Sequence, residues 1–348
     1  MNNRTIDVLN SVFTMGSIDM PLESSYVTVF IGSVIYTFAL LCNLILLVII
    51  ATNRNLHQPM YLLLFNLSVN DLIGVSAMIP RVMSDLLSEH RHISFPACLI
   101  QALCIHLYGG ATLLILSVMA FDRYIAICHP LRYHTIMTGS TVIKLIVFAW
   151  FFDILLVGAL FGLLLRFPFC KTVLGNFYCD NVSLLRLTCA TDTSVNNIYG
   201  LFLLGIFHGI GLFSVLFSYT WILFTCFSNK DSDSKVKALH TCATHLLVFL
   251  IYEFSGIIIV LFYRFPGTPP TLQKFMGMSF VIFPPSLNPV IYGVKTKEIR
   301  GKLTQTFISR IFIIKEGSCS TTKQVKVIAR FTDSSKEIKT ISELAKKP

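Results

Sequence analysis

From Cys98 to Val118 the chain runs for twenty-one residues without an Asp, Glu, Lys or Arg, and it then sets Asp122 beside Arg123. Roughly 20 apolar residues span the ~30 Å hydrocarbon core of a bilayer as a helix. With no water inside to pair with backbone groups, a helix is the form such a run must take. Six further stretches read the same way, so the seven expected spans are Tyr26–Ala51, Pro59–Ile79, Cys98–Phe121, Val142–Leu165, Ile198–Phe227, Leu239–Phe262 and Phe275–Val294. The balance of the chain agrees: 54% hydrophobic against 13% charged, with a mean hydropathy of +0.70. A soluble fold of this size would have far more charge to expose. Met1 to Ser25 is polar and lacks a cleavable leader, so the first apolar run stays in the membrane as an anchor. The fold class is an all-α membrane protein, a seven-helix transmembrane bundle.

Most Lys and Arg residues fall on the side that carries the first, second and third inner loops and the tail. By the positive-inside rule that side is cytoplasmic, which puts the amino terminus outside and the carboxyl terminus inside a multi-pass plasma-membrane protein. The chain divides into an outer segment 1–25, the helix bundle 26–294 and a cytoplasmic segment 295–348. Asn3-Arg4-Thr5 is a sequon on the outer side, so Asn3 is read as glycosylated; Asn181-Val182-Ser183 makes Asn181 a second candidate. The net charge of +10 suits a basic inner face against anionic lipid and not nucleic acid.

Four of the ten cysteines, Cys98, Cys170, Cys179 and Cys189, lie on the expected outer side, where two disulfides can form with three connectivities open. No metal site is expected; His90 and His92 beside Glu89 form the nearest cluster. Asp122 and Arg123 stand where the third span leaves the bilayer. They read either as an interfacial pair with Arg123 snorkelling to water, or as a lock released when helices part.

The stretch Met119-Ala-Phe-Asp-Arg-Tyr-Ile-Ala-Ile-Cys-His-Pro-Leu-Arg-Tyr133 resembles the signature of odorant receptors among the rhodopsin-like G-protein-coupled receptors. Leu56–Leu72, Lys237–Leu246 and Ser286–Arg300 resemble the family's second-, sixth- and seventh-helix motifs in the same order. The class I, fish-like branch is the nearer resemblance, from Cys189-Ala190 onward to Leu201 and from the Phe before Asp122.

The resemblance implies disulfides Cys98–Cys179 and Cys170–Cys189. It implies that Asp122, Arg123, Tyr124, Tyr219, Lys235, Lys237, Asn288, Pro289 and Tyr292 serve activation and coupling, with Tyr219 and Tyr292 meeting Arg123 in the active state. Pro289 removes one backbone hydrogen bond, and Asn288 either satisfies the freed carbonyls or reaches Asp71. Asp71 with Asn43 and Asn288 is read as a sodium or proton site, or as a structural hydrogen-bond hub; no other cofactor is expected. The family often has an acid where Thr112 stands, which weakens the ion reading.

After Tyr292, Ile299, Leu303 and Phe307 recur every four residues among basic ones, as in a short amphipathic eighth helix on the inner leaflet. The tail from Lys315 carries Ser318, Ser320, Thr321 and Thr322 as candidate sites for a receptor kinase and arrestin, and Cys319 as a candidate for palmitoylation.

Helix phase and family analogy place Ile105, His106, Gly109, Leu203, Phe207, Glu253, Ile257, Val260 and Met278 around a ligand cavity, mostly apolar as such a pocket should be. Glu253 departs from the family's usual Tyr. A carboxyl at that depth needs a partner or a purpose. It faces the cavity to meet a cationic or donor part of the ligand, or it bonds His106 or His208, or it switches conformation without touching ligand. Gly158-x-x-x-Gly162 and Gly205-x-x-x-Gly209 are expected to pack helices inside the bundle. Asp153 has no evident partner in the sequence.

The resemblance thus implies a receptor that binds a small odorant and activates a heterotrimeric G protein of the stimulatory olfactory type, raising cyclic AMP. A receptor of the same fold for an endogenous ligand is the alternative, and a transporter or channel the remote one. No enzyme motif such as His-Glu-x-x-His or Gly-x-Ser-x-Gly occurs.

Overall fold

The structure is a computed structural model that describes residues 11–16, 22–88, 90–228, 232–264, 269–296 and 298–305, without the side chains of 228–241 and of several residues near 260–274. Two compact units are distinguished, Met1–Lys297 and Glu298–Pro348.

The first unit begins with a short strand β1 (Val12–Thr14), then α1 (Leu22–Thr52), α2 (Pro59–Leu87), a strand β2 (His92–Ser94) and α3 (Phe95–Cys128). It continues with α4 (Tyr133–Ile136), α5 (Gly139–Leu165), α6 (Asn181–Leu185), α7 (Ser194–Ser228), α8 (Ser232–Arg264) and α9 (Pro270–Lys295). Among these, α1, α2, α3, α5, α7, α8 and α9 are long and apolar enough to cross a membrane. Each overruns its expected bounds because caps and loop contacts end a helix, whereas hydropathy marks only the part that lipid would hold. Thus α3 starts at Phe95 with a proline in its first turn and runs to Cys128, so Asp122 and Arg123 lie inside its last two turns.

Helix α3 is the axis of the bundle, in contact with α2, α5, α7 and α8. Its buried face therefore extends nearly all round from Gly110 to Ala120, while α1 and α5 expose apolar rows such as Val147, Phe148 and Phe151. A helix whose apolar surface faces outward in this way is suited to lipid.

At one end the loops close into a lid. β1 pairs antiparallel with β2, matching Phe13 to Ile93, and Thr14 bridges to Val173. Phe13 is fully buried, with its ring centroid 5.8 Å from that of Phe95 and 6.2 Å from that of Phe169. The sequence marks 1–25 only as a polar segment; a strand of three residues, Val12-Phe13-Thr14, carries too little periodicity to show itself. Disulfides join Cys98 to Cys179 and Cys170 to Cys189. The Gln101 amide donates to Ala77 O and its oxygen accepts from Cys179 N, both at 2.9 Å, fixing the lid loop to α2 and α3.

Neither small-residue motif packs helices within the chain. A side-chain carbon added at Gly158, Gly162, Gly205 or Gly209 would meet nothing within 4 Å. The close contacts instead use Gly74 under the Tyr108 ring, Gly110 against Asp153, Gly256 against the His208 ring and Gly277 against Tyr178.

In the second unit residues 298–305 are helical, with Glu298, Arg300 and Gly301 exposed. Ile299 and Leu303 share one face of that helix; Phe307 and the tail sites Ser318, Cys319, Ser320, Thr321 and Thr322 lie outside the described residues, as do Asn3 and Glu89.

Candidate functional site

At the end opposite the disulfides, Asp122 is fully buried and accepts from Arg123, whose Nε lies 3.1 Å away. Its other oxygen accepts from the Tyr133 hydroxyl at 2.9 Å. Burial and the nearby Asp122 charge push the Tyr133 phenol well above its usual range, so it stays a donor. Arg123 is thus held on its own helix by a carboxylate that Tyr133 anchors. Tyr219 lies 2.8 Å from Cys242 O and 2.9 Å from His245 Nδ1. The Leu116 carbonyl, 3.0 Å from His245 Nε2, can only accept, so Nε2 carries the proton, and Cys242 O and Nδ1 are alternative acceptors for the one Tyr219 proton. His245 therefore ties α8 to both α3 and α7. Tyr124 reaches His129 at 3.1 Å, and the Tyr292 hydroxyl is enclosed without a partner among the described residues. Lys235 and Lys237 lie on α8, in the stretch whose side chains are not described.

Three prolines interrupt the ladder of α9, and two of the carbonyls they free face side chains of other helices. Pro289 frees the carbonyl of Pro285, which accepts from Asn43 Nδ2 at 2.9 Å. Pro284 frees that of Phe280, which lies 3.4 Å from the Tyr108 hydroxyl. Asn43 therefore pins α1 to α9 and does not reach Asp71. Asn288 takes the second of its expected roles, donating to Asp71 Oδ2 at 2.9 Å.

The other oxygen, Asp71 Oδ1, accepts from the Tyr252 hydroxyl at 3.2 Å, and the Tyr108 and Tyr252 hydroxyls are 2.6 Å apart. Since Tyr252 spends its one proton on the carboxylate, Tyr108 donates to Tyr252, and the chain runs Tyr108 to Tyr252 to Asp71. Asn70 donates to Thr112 Oγ1 at 2.9 Å beside it. Each Asp71 oxygen accepts from one hydroxyl or amide donor and Asn43 is turned away to Pro285, an arrangement that suits the hydrogen-bond hub.

At the disulfide end, below the lid, lies a cavity of about 330 Å³. Five of the nine residues expected around it line it: Ile105, His106, Gly109, Leu203 and Phe207. On α8 the cavity face carries Gly256 and Ile259, one turn apart. At about 100° per residue that phase swings Ile257 outward, where it is exposed. On α9 the lining residues are Gly277, Phe280 and Val281, so Met278 misses by the same one-residue error. The side chain of Val260 is not described.

Glu253 stands beneath the lining and not in it. His208 lines the cavity, and its Nδ1 lies 3.2 Å from Glu253 Oε1 without hydrogen-bond alignment, while Glu253 Oε2 is enclosed and unpartnered. His106 instead contacts the Ala102 carbonyl at 2.8 Å. Sequence reasoning does not place Asn181 and Asn196 at the cavity; each lines it with an enclosed Nδ2 that has no partner among the described residues. No glycan fits on Asn181 in this fold, since its amide nitrogen is enclosed and the residue is 6% exposed. Its sequon concealed the alternative.

Asp153, fully buried, points at Gly110 on α3: a side-chain carbon there would fall 3.0 Å from Asp153 Cγ and 2.9 Å from Phe207 Cζ, with Oδ1 nearer still. The Ala111 backbone N–H is the nearest donor to its carboxyl, and neither oxygen has an aligned side-chain partner among the described residues.

A lidded cavity at one end and a held Asp-Arg pair at the other, within seven spanning helices, is the layout of a receptor. The family model described as "Olfactory receptor" matches residues 32–310. The chain belongs to the olfactory receptor family. Olfactory receptor 52D1 of Homo sapiens is 36% identical over 77% of this chain and 85% of its own length. Olfactory receptor 51G2 of Homo sapiens is 38% identical over 76% and 85%. These relatives fit the class I, fish-like branch. The crystal structure of squid rhodopsin aligns with a TM-score of 0.65 over 88% of this chain and 91% of that one; at 16% identity it speaks for the fold alone. The receptor is a multi-pass membrane protein of the G-protein-coupled class and not an enzyme, with a small-molecule ligand and a G protein as its partners.

Proposed function

We propose that a small odorant enters the cavity from the extracellular side and favours a state in which the inner ends of α7 and α8 part. The observation that carries this reading is the continuous polar chain from Tyr108, beside the cavity-lining Gly109, through Tyr252 to Asp71 and Asn288. It links α3, α8, α2 and α9, so a ligand that displaces α8 alters the hub that holds the inner half closed. A ligand shifts such an equilibrium only by its difference in affinity for the two states. Parting the helices frees Tyr219 from His245 and opens a cytoplasmic cleft beside Arg123, Tyr124, Lys235 and Lys237 for the G protein.

The G protein is of the stimulatory olfactory type and raises cyclic AMP. The amino terminus is extracellular, and the cytoplasmic tail is the substrate of a receptor kinase and the docking segment for arrestin. Asp71 acts as a hydrogen-bond hub, so replacing sodium with a larger monovalent cation leaves basal signalling unchanged. Through His208, Glu253 recognises the donor-bearing or cationic part of the ligand.

The test is cyclic AMP in cells expressing the receptor with a stimulatory olfactory G protein, across amines, acids, alcohols and steroids. A ligand-dependent rise that Arg123→Ala abolishes at equal surface expression supports the reading. A rise that survives Arg123→Ala rejects it.

A further inference from the structure

We infer that the ligand is elongated and polar at both ends, with an oxygen acceptor held under the lid and a hydrogen-bond donor at the floor. This rests on the reading of the cavity as the ligand site. The lid end offers two amide donors, Asn181 Nδ2 on α6 and Asn196 Nδ2 on α7, both enclosed and both without an acceptor among the described residues. The orientation of Asn196 is decided by Arg166, which donates to Asn196 Oδ1 at 3.2 Å and leaves the nitrogen turned away. A guanidinium behind an amide polarises it, so this donor suits an anionic or strongly polar oxygen. A carboxylate or a carbonyl meets that description, because the Asp180 carboxylate that lines the same end is already engaged by Asn176 Nδ2 and by Ser183 N and Oγ; an alkane or a bare amine leaves both amide donors unpaired.

The floor has the opposite character. His208 lines it, with the Glu253 carboxyl directly behind, and Glu253 Oε2 is enclosed and unpartnered. With the Glu253 carboxyl 3.2 Å from Nδ1, a small rotation of the ring on ligand binding brings the two into alignment, which puts the proton on Nδ1 and leaves Nε2 as an acceptor. An amine or hydroxyl donor is its complement. Between the two ends the wall is apolar, with Leu113, Val157 and Leu160. Asn196 and His208 are twelve residues apart on one helix, about 18 Å along its axis. A compact ligand cannot satisfy both ends, whereas an extended one can.

The probes are ω-amino carboxylic acids of increasing length, compared with the alkylamine and the alkanoic acid of each length. Binding is read as thermal stabilisation of the purified full-length receptor, and signalling separately as cyclic AMP. The best amino acid is expected to bind about ten- to a hundred-fold more tightly than either singly polar analogue, the range one added buried hydrogen bond supplies. Asn196→Asp, which keeps an oxygen for Arg166 but loses the donor, should remove that advantage while leaving the alkylamine's affinity unchanged. Glu253→Gln should lower the affinity of the alkylamine and not that of the alkanoic acid.

Equal affinity of the amino acid and the better singly polar analogue overturns the two-ended ligand, as does failure of every amino acid to stabilise the receptor. Binding with the expected pattern but without cyclic AMP supports the ligand class and counts against the coupling reading alone.

Discussion

The two ends of the bundle treat buried polar groups in opposite ways. Towards the Asp122 end the carboxylates of Asp71 and Asp122 and both ring nitrogens of His245 have named partners at hydrogen-bond distance. Around the cavity, Asn181, Asn196, Glu253 and Asp153 all keep enclosed polar atoms unpaired. In a low-dielectric interior a satisfied network rigidifies, while an unsatisfied group costs free energy until something supplies its partner. The inner half is therefore built to hold one arrangement, and the outer half to be completed by a ligand. Enclosed exceptions exist in the inner half too: the Tyr292 hydroxyl on α9, Asn43 Oδ1 on α1 beside it, and Asn66 Nδ2 and Asn70 Oδ1 on α2, so the contrast is one of degree.

The largest effect that separates the two ends should come from Cys98→Ser. Losing the bridge to Cys179, 81 residues away in sequence, costs about 2–5 kcal/mol and should remove both ligand stabilisation and surface expression. Arg123→Ala should act on one end alone: cyclic AMP falls to the level of untransfected cells while ligand stabilisation of the purified receptor persists. If stabilisation is lost as well, the two ends are not separable in this way.

Tyr252→Phe should lower stability by about 1–3 kcal/mol, because Asp71 loses a donor and Tyr108 loses an acceptor in one step. Thermal unfolding without ligand measures it, and an unchanged melting temperature would mean the chain carries no energy.

Gly110→Ala should cost about 1–3 kcal/mol by pressing on the Asp153 carboxyl and Phe207. Adding Asp153→Ala should restore part of that loss, and a strictly additive double variant would refute the contact.

The smallest effect concerns Asp192, exposed at the start of α7, whose carboxyl is held below its usual range by hydrogen bonds from Ser194. A depressed carboxylate favours the fold above its unfolded value and loses that contribution as the pH falls through its folded value. The melting temperature should drop slightly on acidification, and that part of the slope should vanish in Asp192→Asn.

Much of the inner half was legible because its residues act locally or within named motifs. Asp122 and Arg123 are neighbours in sequence, and Pro289 frees a carbonyl four residues back whatever surrounds it. What the motif left open was which side chain would take that carbonyl; Asn43, on α1, is 242 residues from Pro285. The cavity was legible only on α3 and α7, where the expected Ile105, His106, Gly109, Leu203 and Phe207 line it. On α8 and α9 an error of one residue, about 100° of rotation, exchanged Gly256 for Ile257 and Gly277 for Met278.

Hydropathy, cysteine placement and four motifs in order determined by themselves that this chain is a seven-helix receptor of its family, because spanning a bilayer leaves the backbone few alternatives. Only the tertiary structure decided that His208 stands between Glu253 and the cavity, that Asn181 turns inward, and that Asp153 fills the space Gly110 leaves. Each of those facts depends on where two helices meet and how each is rotated, and close packing sets that rotation through contacts between residues far apart in sequence.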